Sequence, residues 1–154
     1  MPNWCRNRVT ISSNNYDDDS QFKELVKKFK SDRPFNSILP QPDWKNIKNE
    51  DGELPVVKEQ KNEKGEVIFS FSEFPKSGKS DDRWYDWANT YWGTKWDIHD
   101  IEVDEDEEYA EFEFETAWCP AEGIFNKIKQ DYPDVAISWF YDEPGCELAG
   151  YLPN

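Results

Sequence analysis

Residues 109–116 read Tyr-Ala-Glu-Phe-Glu-Phe-Glu-Thr, with Ala110, Phe112 and Phe114 alternating against Glu111, Glu113 and Glu115. Successive side chains of an extended chain point to opposite faces. The stretch therefore has the pattern of an antiparallel strand, buried on one side and solvated on the other. Residues 96–104 read as its partner strand, joined to it by the acidic turn 105–108.

The reading extends outward from this hairpin. On the carboxyl side, Pro120 fits the first turn of a helix whose apolar side is Ile124, Phe125 and Ile128, and which Pro133 ends. Residues 135–141 follow as a strand rich in β-branched and aromatic side chains. Residues 147–152 offer a short edge strand after Pro144-Gly145. On the amino side, Ser80 is placed to cap a helix with Asp81 and Asp82 in its first turn, with Trp84, Trp87, Ala88 and Tyr91 on one face and Gly93 closing it.

Earlier still, residues 4–12 read as a first strand. Asp17, Asp18 and Asp19 then offer capping carboxylates to a helix in which Phe22, Leu25, Val26 and Phe29 fall at i, i+3, i+4 and i+7. Lys27, Lys28 and Lys30 suit its carboxyl end, and Pro34 is expected to stop it. Residues 34–80 break the pattern with prolines at 34, 40, 42, 55 and 75, and residues 45–66 are mostly Lys, Asn, Glu and Gly. This region reads as a partly mobile Pro-rich insertion in which residues 54–59 and 67–71 pair as a hairpin. Without the insertion the order is β-α-β-β-α-β. The expected fold is thus α+β: a ferredoxin-like split β-α-β antiparallel sheet with two packing helices, and an insertion that carries an extra helix.

The chain has 154 residues, which fits one domain with an insertion at about 34–80, and its aromatic content of 16%, including eight Trp, can fill a core. No stretch approaches a membrane span. The start of the chain lacks a basic region followed by an apolar one, so no signal peptide is expected. Cys5, Cys119 and Cys146 form no CxxC pair, which disfavours a disulfide framework or a zinc site and favours a reducing, cytoplasmic setting.

Charge is distributed unevenly. Residues 1–96 hold 16 basic and 16 acidic side chains, whereas residues 97–154 hold 17 acidic and 2 basic. The whole net charge of −15 thus sits in residues 97–154. That stretch is unsuited to phosphate contacts, which need clustered Lys and Arg, and favours a cationic partner.

Several motifs have a family look. Met1-Pro2-Asn3-Trp4-Cys5 with Asn7 comes first, followed by Ile38-Leu39-Pro40 and Trp84-Tyr85-x-Trp87. Trp92-Gly93-Thr94-Lys95-Trp96-Asp97, Thr116-Ala117-Trp118-x-Pro120, Tyr132-Pro133 and Tyr141-x-Glu143-x-Gly145 complete the set. Together they resemble the YubB ferredoxin-like family across nearly the whole chain, and the Trp92–Asp97 string is the most specific piece. Ala121 stands where that pattern has a second proline. The resemblance implies a ferredoxin-like fold and a setting among proteins carried by bacterial plasmids and phages. It implies no activity, no catalytic residues and no iron–sulfur cluster.

The strongest chemical feature is a carboxylate band of eleven acids with no Lys or Arg among them: Asp97, Asp100, Glu102, Asp104, Glu105, Asp106, Glu107, Glu108, Glu111, Glu113 and Glu115. Such a band has three readings. It is a solubilising face, a surface that imitates nucleic-acid phosphates toward a basic protein, or a divalent-metal site. The metal reading lacks the DxDxDG loop spacing, and neither a metal nor any other cofactor is expected. His99 is the only histidine, and no Gly-x-Ser-x-Gly elbow exists, so no catalytic triad is expected. Cys119 precedes Pro120 at a helix start, but the surrounding negative charge counters any depression of its thiol pKa.

Trp84, Trp92, Thr94, Lys95, Trp96, His99 and Trp118 mark an alternative ligand junction, set against the default that these aromatics are core. The preferred expectation is a non-enzymatic acidic protein that binds a basic surface on a host or mobile-element protein. Its expected form is a nucleic-acid-mimicking inhibitor of host DNA-directed defence. No direct nucleic-acid or membrane contact is expected, and the chain is expected to be a monomer or a weak homo-oligomer. The alternatives are a small enzyme or ligand-binding domain at the junction, and a structural or regulatory interaction module.

Overall fold

The structure, a computed structural model, describes residues 2–153. The chain divides into two compact units: Met1–Pro40 with Trp87–Asn154, and Gln41–Asp86.

In the first unit, β1 (Trp4–Ser13) is the central strand, flanked by β5 (Tyr109–Ala117) and β6 (Val135–Glu143). The short strands β4 (Glu102–Glu105) and β7 (Leu148–Tyr151) complete the sheet, whose order is β4-β5-β1-β6-β7. Every pairing is antiparallel. Helices α1 (Ser20–Phe29) and α4 (Glu122–Asp131) follow β1 and β5 and pack on one face of the sheet. This is the ferredoxin-like split β-α-β arrangement, extended by β7 at one edge.

The alternation along β1 and β5 decides which face the helices cover. Val9 and Ile11 from β1, Ala110, Phe112 and Phe114 from β5, and Ile137 and Trp139 from β6 are buried against Phe22, Leu25, Val26 and Phe29 of α1 and Ile124, Phe125 and Ile128 of α4. Phe29 stacks on Phe112 with ring centroids 4.6 Å apart, and Phe125 meets Trp139 edge-on at 6.1 Å. Fully burying a side chain of this size stabilises the fold by roughly 1.5–3 kcal/mol.

Within this core Asn7 is a buried polar residue. Its amide nitrogen donates to Thr116 Oγ1 at 2.9 Å and to the Cys5 carbonyl at 3.0 Å, and its oxygen accepts from Trp139 Nε1 at 2.9 Å. Thr116 in turn donates to the Cys119 carbonyl at 2.6 Å, which ties β1, β5, β6 and the turn after β5 into one network.

The joint between α3 (Arg83–Tyr91) and α4 depends on glycine. Gly93 has φ +87° and ends α3, a left-handed conformation that glycine adopts without a side-chain clash. At Gly123 a Cβ would lie 1.8 Å from the Tyr91 carbonyl oxygen, so only glycine lets the two backbones approach this closely.

Several boundaries differ from those read in the sequence. Pro34 does not only stop α1; it opens a short helix, α2 (Pro34–Ile38), because its fixed φ suits a first helical position. Helix α2 belongs to the first unit, and the second unit spans Gln41–Asp86. The backbone N–H of Ser20 is met by Asp18, not by the cap residue Asp19. Helix α3 starts at Arg83, and Ser80 instead bridges Glu73. Pro120 lies two residues before α4, whose cap is the buried Ala121. Of the expected strand 96–104 only β4 forms.

The second unit holds a 3-10 turn at Trp44–Asn46 and a hairpin of β2 (Val56–Lys61) and β3 (Val67–Glu73). Its organising residue is Arg83. The guanidinium donates to both carboxylate oxygens of buried Asp81, at 2.8 and 2.9 Å, and to the Trp44 carbonyl at 2.9 Å. It also lies over the rings of Trp44 and Phe74, at 5.0 and 5.3 Å. Most apolar residues of this unit, among them Val57, Ile68 and Phe69, are exposed, and a charged hub supplies the convergence that a hydrophobic centre usually supplies.

Candidate functional site

The open face of the sheet carries the side chains that β1, β4, β5 and β6 turn away from the helices. In register, Glu102 stands opposite Glu113 and Asp104 opposite Glu111 across β4 and β5. On the other side of β5, Glu115, Glu113 and Glu111 stand opposite Arg6, Arg8 and Thr10. The carboxylates form two adjacent columns, and the cations on this face come from β1. Arg8 Nε reaches Glu113 at 3.2 Å and Glu111 at 3.8 Å; Glu105, opposite buried Ala110, falls on the helix side of the sheet and pairs with Lys30 at the end of α1. No ion pair among the described residues reaches Asp100, Glu102, Asp104, Glu107, Glu108 or Glu115.

The turn is ordered by its own acid. Asp106 Oδ1 accepts from the backbone N–H groups of Glu108 and Tyr109, at 2.7 and 2.9 Å. The local field is negative enough to act on Tyr109, whose phenol is held above its ordinary range, first by Asp104 and further by Glu111 and Asp106. Like charges directly opposite in a strand pair weaken it, so this arrangement is retained against local stability.

Asp97 and Asp100 lie apart from these columns. Asp97 caps α2, its two oxygens accepting from the backbone N–H groups of Phe35 and Asn36 at 2.8 and 2.9 Å. This explains why residues 96–101 do not continue the strand: the chain is held to a helix end rather than to β5. Asp100 and His99 are exposed on that segment.

The suggested Trp-lined junction resolves into separate roles. Trp92 is buried and donates through Nε1 to the Leu39 carbonyl at 2.8 Å. Thr94 is buried and donates to the Ala117 carbonyl at 3.1 Å. Trp84 falls in the second unit, edge-on to Tyr85. Trp118 is exposed with φ +72°, a strained value for a non-glycine residue. The aromatic face read along α3 is not a buried face, since Ala88 is the residue of that helix that is fully covered.

Trp96 and His99 do come together, at a cleft of about 1070 Å³ on the open face, and Lys95, which is not part of its lining, lies over the Trp96 ring. Residues 96–102 line it together with Trp4, Arg6, Arg8, Glu113, Glu115, Phe140 and Asp142. Trp4, the arginines, Phe140 and Asp142 were missed by the sequence reading. Their signal was present in the first strand, where Arg6 and Arg8 alternate with buried Asn7 and Val9.

All three cysteines are free. Burial pushes the Cys5 thiol up to about 11. Cys119 is raised by burial and by Glu122, and Cys146 by its hydrogen bond to Glu143. None is an activated nucleophile. No group of three or more His, Cys, Asp or Glu among the described residues is arranged to hold a metal ion. Among the described residues no helix is long and apolar enough to cross a membrane.

Residues 91–153 match the family model described as a ferredoxin-like domain in Api92-like protein. The match begins at the last residue of α3 and takes in β4, β5, α4, β6 and β7. This segment of the chain is therefore similar to a small ferredoxin-like family. Comparison with curated proteins and with solved structures found no match.

Proposed function

We propose that this chain is a non-enzymatic acidic binding protein that docks the β4–β5 hairpin and the turn 105–108 onto a basic surface of another protein. One observation carries the reading: Glu102 faces Glu113 and Asp104 faces Glu111 on an exposed face. Adjacent strands lie about 4.8 Å apart and same-face side chains recur about every 6.7 Å. The hairpin is thus a small lattice of fixed negative charge, the kind of surface to which a groove built for phosphates would respond.

The finer proposal is that the chain belongs to the YubB-like proteins of plasmids and phages. Acting in the cytoplasm, it would occupy the nucleic-acid surface of a host defence protein. Support comes from the sequence resemblance, the charge asymmetry and the three free thiols.

The test is capture from a bacterial host lysate at low ionic strength, followed by addition of duplex DNA. The reading expects a nucleic-acid-handling protein to be retained and then released by the DNA. A retained protein that stays bound while it takes up DNA would contradict mimicry.

A further inference from the structure

At the cleft, two indoles and a set of carboxylates converge. Trp4 and Trp96 lie with ring centroids 6.1 Å apart, and both are about two-fifths exposed, at 43% and 40%. The Trp96 ring already holds a cation of this chain, since Lys95 Nζ lies 4.2 Å from its centroid. Glu115 and Asp142 flank Arg6 in register, and Asp100 also lines the cleft. In all, six acidic residues and two arginines line the cleft, so its charge is negative.

A planar, weakly hydrated cation that stacks on an indole while its N–H groups fork onto a carboxylate is a guanidinium. An ammonium satisfies the charge but not the stacking. The volume exceeds what one side chain fills, which leaves room for flanking backbone.

We propose that this cleft anchors an arginine side chain from an extended segment of the basic protein partner, with Trp4 and Trp96 as the stacking surfaces and Glu115, Asp142 and Asp100 as acceptors. The proposal rests on the reading that the partner is a basic protein, and it names the residue that enters.

Titration of the full chain with a capped tri-arginine peptide and with a capped tri-lysine peptide, followed by calorimetry and indole fluorescence, tests it. The arginine peptide should bind the more tightly and quench the fluorescence. Trp4→Ala and Trp96→Ala should each weaken its binding about fivefold, and Trp→Phe at either position should recover part of the loss. Both side chains are substantially exposed, so the variants should melt with the wild type, and the Phe variants serve if they do not. Equal binding of the two peptides, or Trp→Ala variants within about twofold of wild type, would overturn the arginine site.

The two proposals fail separately. Asp104 and Glu111 lie outside the cleft lining. If their reversal leaves partner capture intact, the hairpin contact is lost and the arginine site stands. If the Trp variants bind the peptide normally, the reverse holds.

Discussion

Asn7 and Gly123 show how single residues fix this fold. Replacing Asn7 with Leu would remove the acceptor of Trp139 Nε1 and the donor to Thr116 inside a dry core. Leaving a buried donor unmade costs about 1–3 kcal/mol, so N7L should lower stability by about 2–3 kcal/mol in a denaturant titration. For Gly123→Ala two effects oppose each other. Alanine favours a helix by about 1 kcal/mol over glycine. Against this, a Cβ 1.8 Å from a backbone oxygen forces α3 and α4 apart, and overpacking of that kind costs about 3 kcal/mol. The clash should win, and G123A should melt below the wild type. Asp81 gives a pH prediction. Its hydrogen bonds to Arg83 hold its carboxyl below the usual carboxylate range. Its contribution to the second unit is therefore present above the unfolded value of about 3.9 and lost as pH falls through the lower folded value. Amide exchange in residues 41–86 should quicken across that acid window in the wild type, while Asp81→Asn should show fast exchange already at neutral pH.

At the level of elements, the hairpin of β4 and β5 sets stability against proposed use. Asp104→Lys converts a repulsive pair with Glu111 into an attractive one. It should stabilise the chain by roughly 0.5–1 kcal/mol while weakening partner capture. A purely solubilising face would gain the stability and have no binding to lose. Legibility from sequence divides along the same lines. β5, α1 and α4 were readable because each buries one face against the core, which stamps a period of two or 3.6 on the residues. The segment 96–101 was misread as strand because its apolar residues resemble one, whereas its path is set by Asp97 reaching α2, a contact across more than sixty positions. The Arg83 hub left no periodic signal, because convergence on one guanidinium depends on where Trp44, Phe74 and Asp81 meet. The carboxylate band was legible in the sequence, but not Arg8 beside it, because pairing of β1 with β5 is a long-range fact.

For the whole molecule, electrostatic asymmetry and the open sheet face point the same way. The helices cover one side of the sheet. The other side presents carboxylates at one edge and a tryptophan-lined cleft beside them. Association through such a face should weaken steeply as salt rises, since exposed charges are screened beyond about 8–10 Å at physiological ionic strength. The most direct test of the central claim is quantitative capture from the host lysate by the wild-type chain and by an Asp104→Lys, Glu107→Lys, Glu111→Lys variant, with melting curves run in parallel. The account predicts that the wild type retains a basic, nucleic-acid-handling protein that high salt releases, and that the variant melts normally yet retains none. A folded variant that retains the same proteins in the same amounts would contradict it.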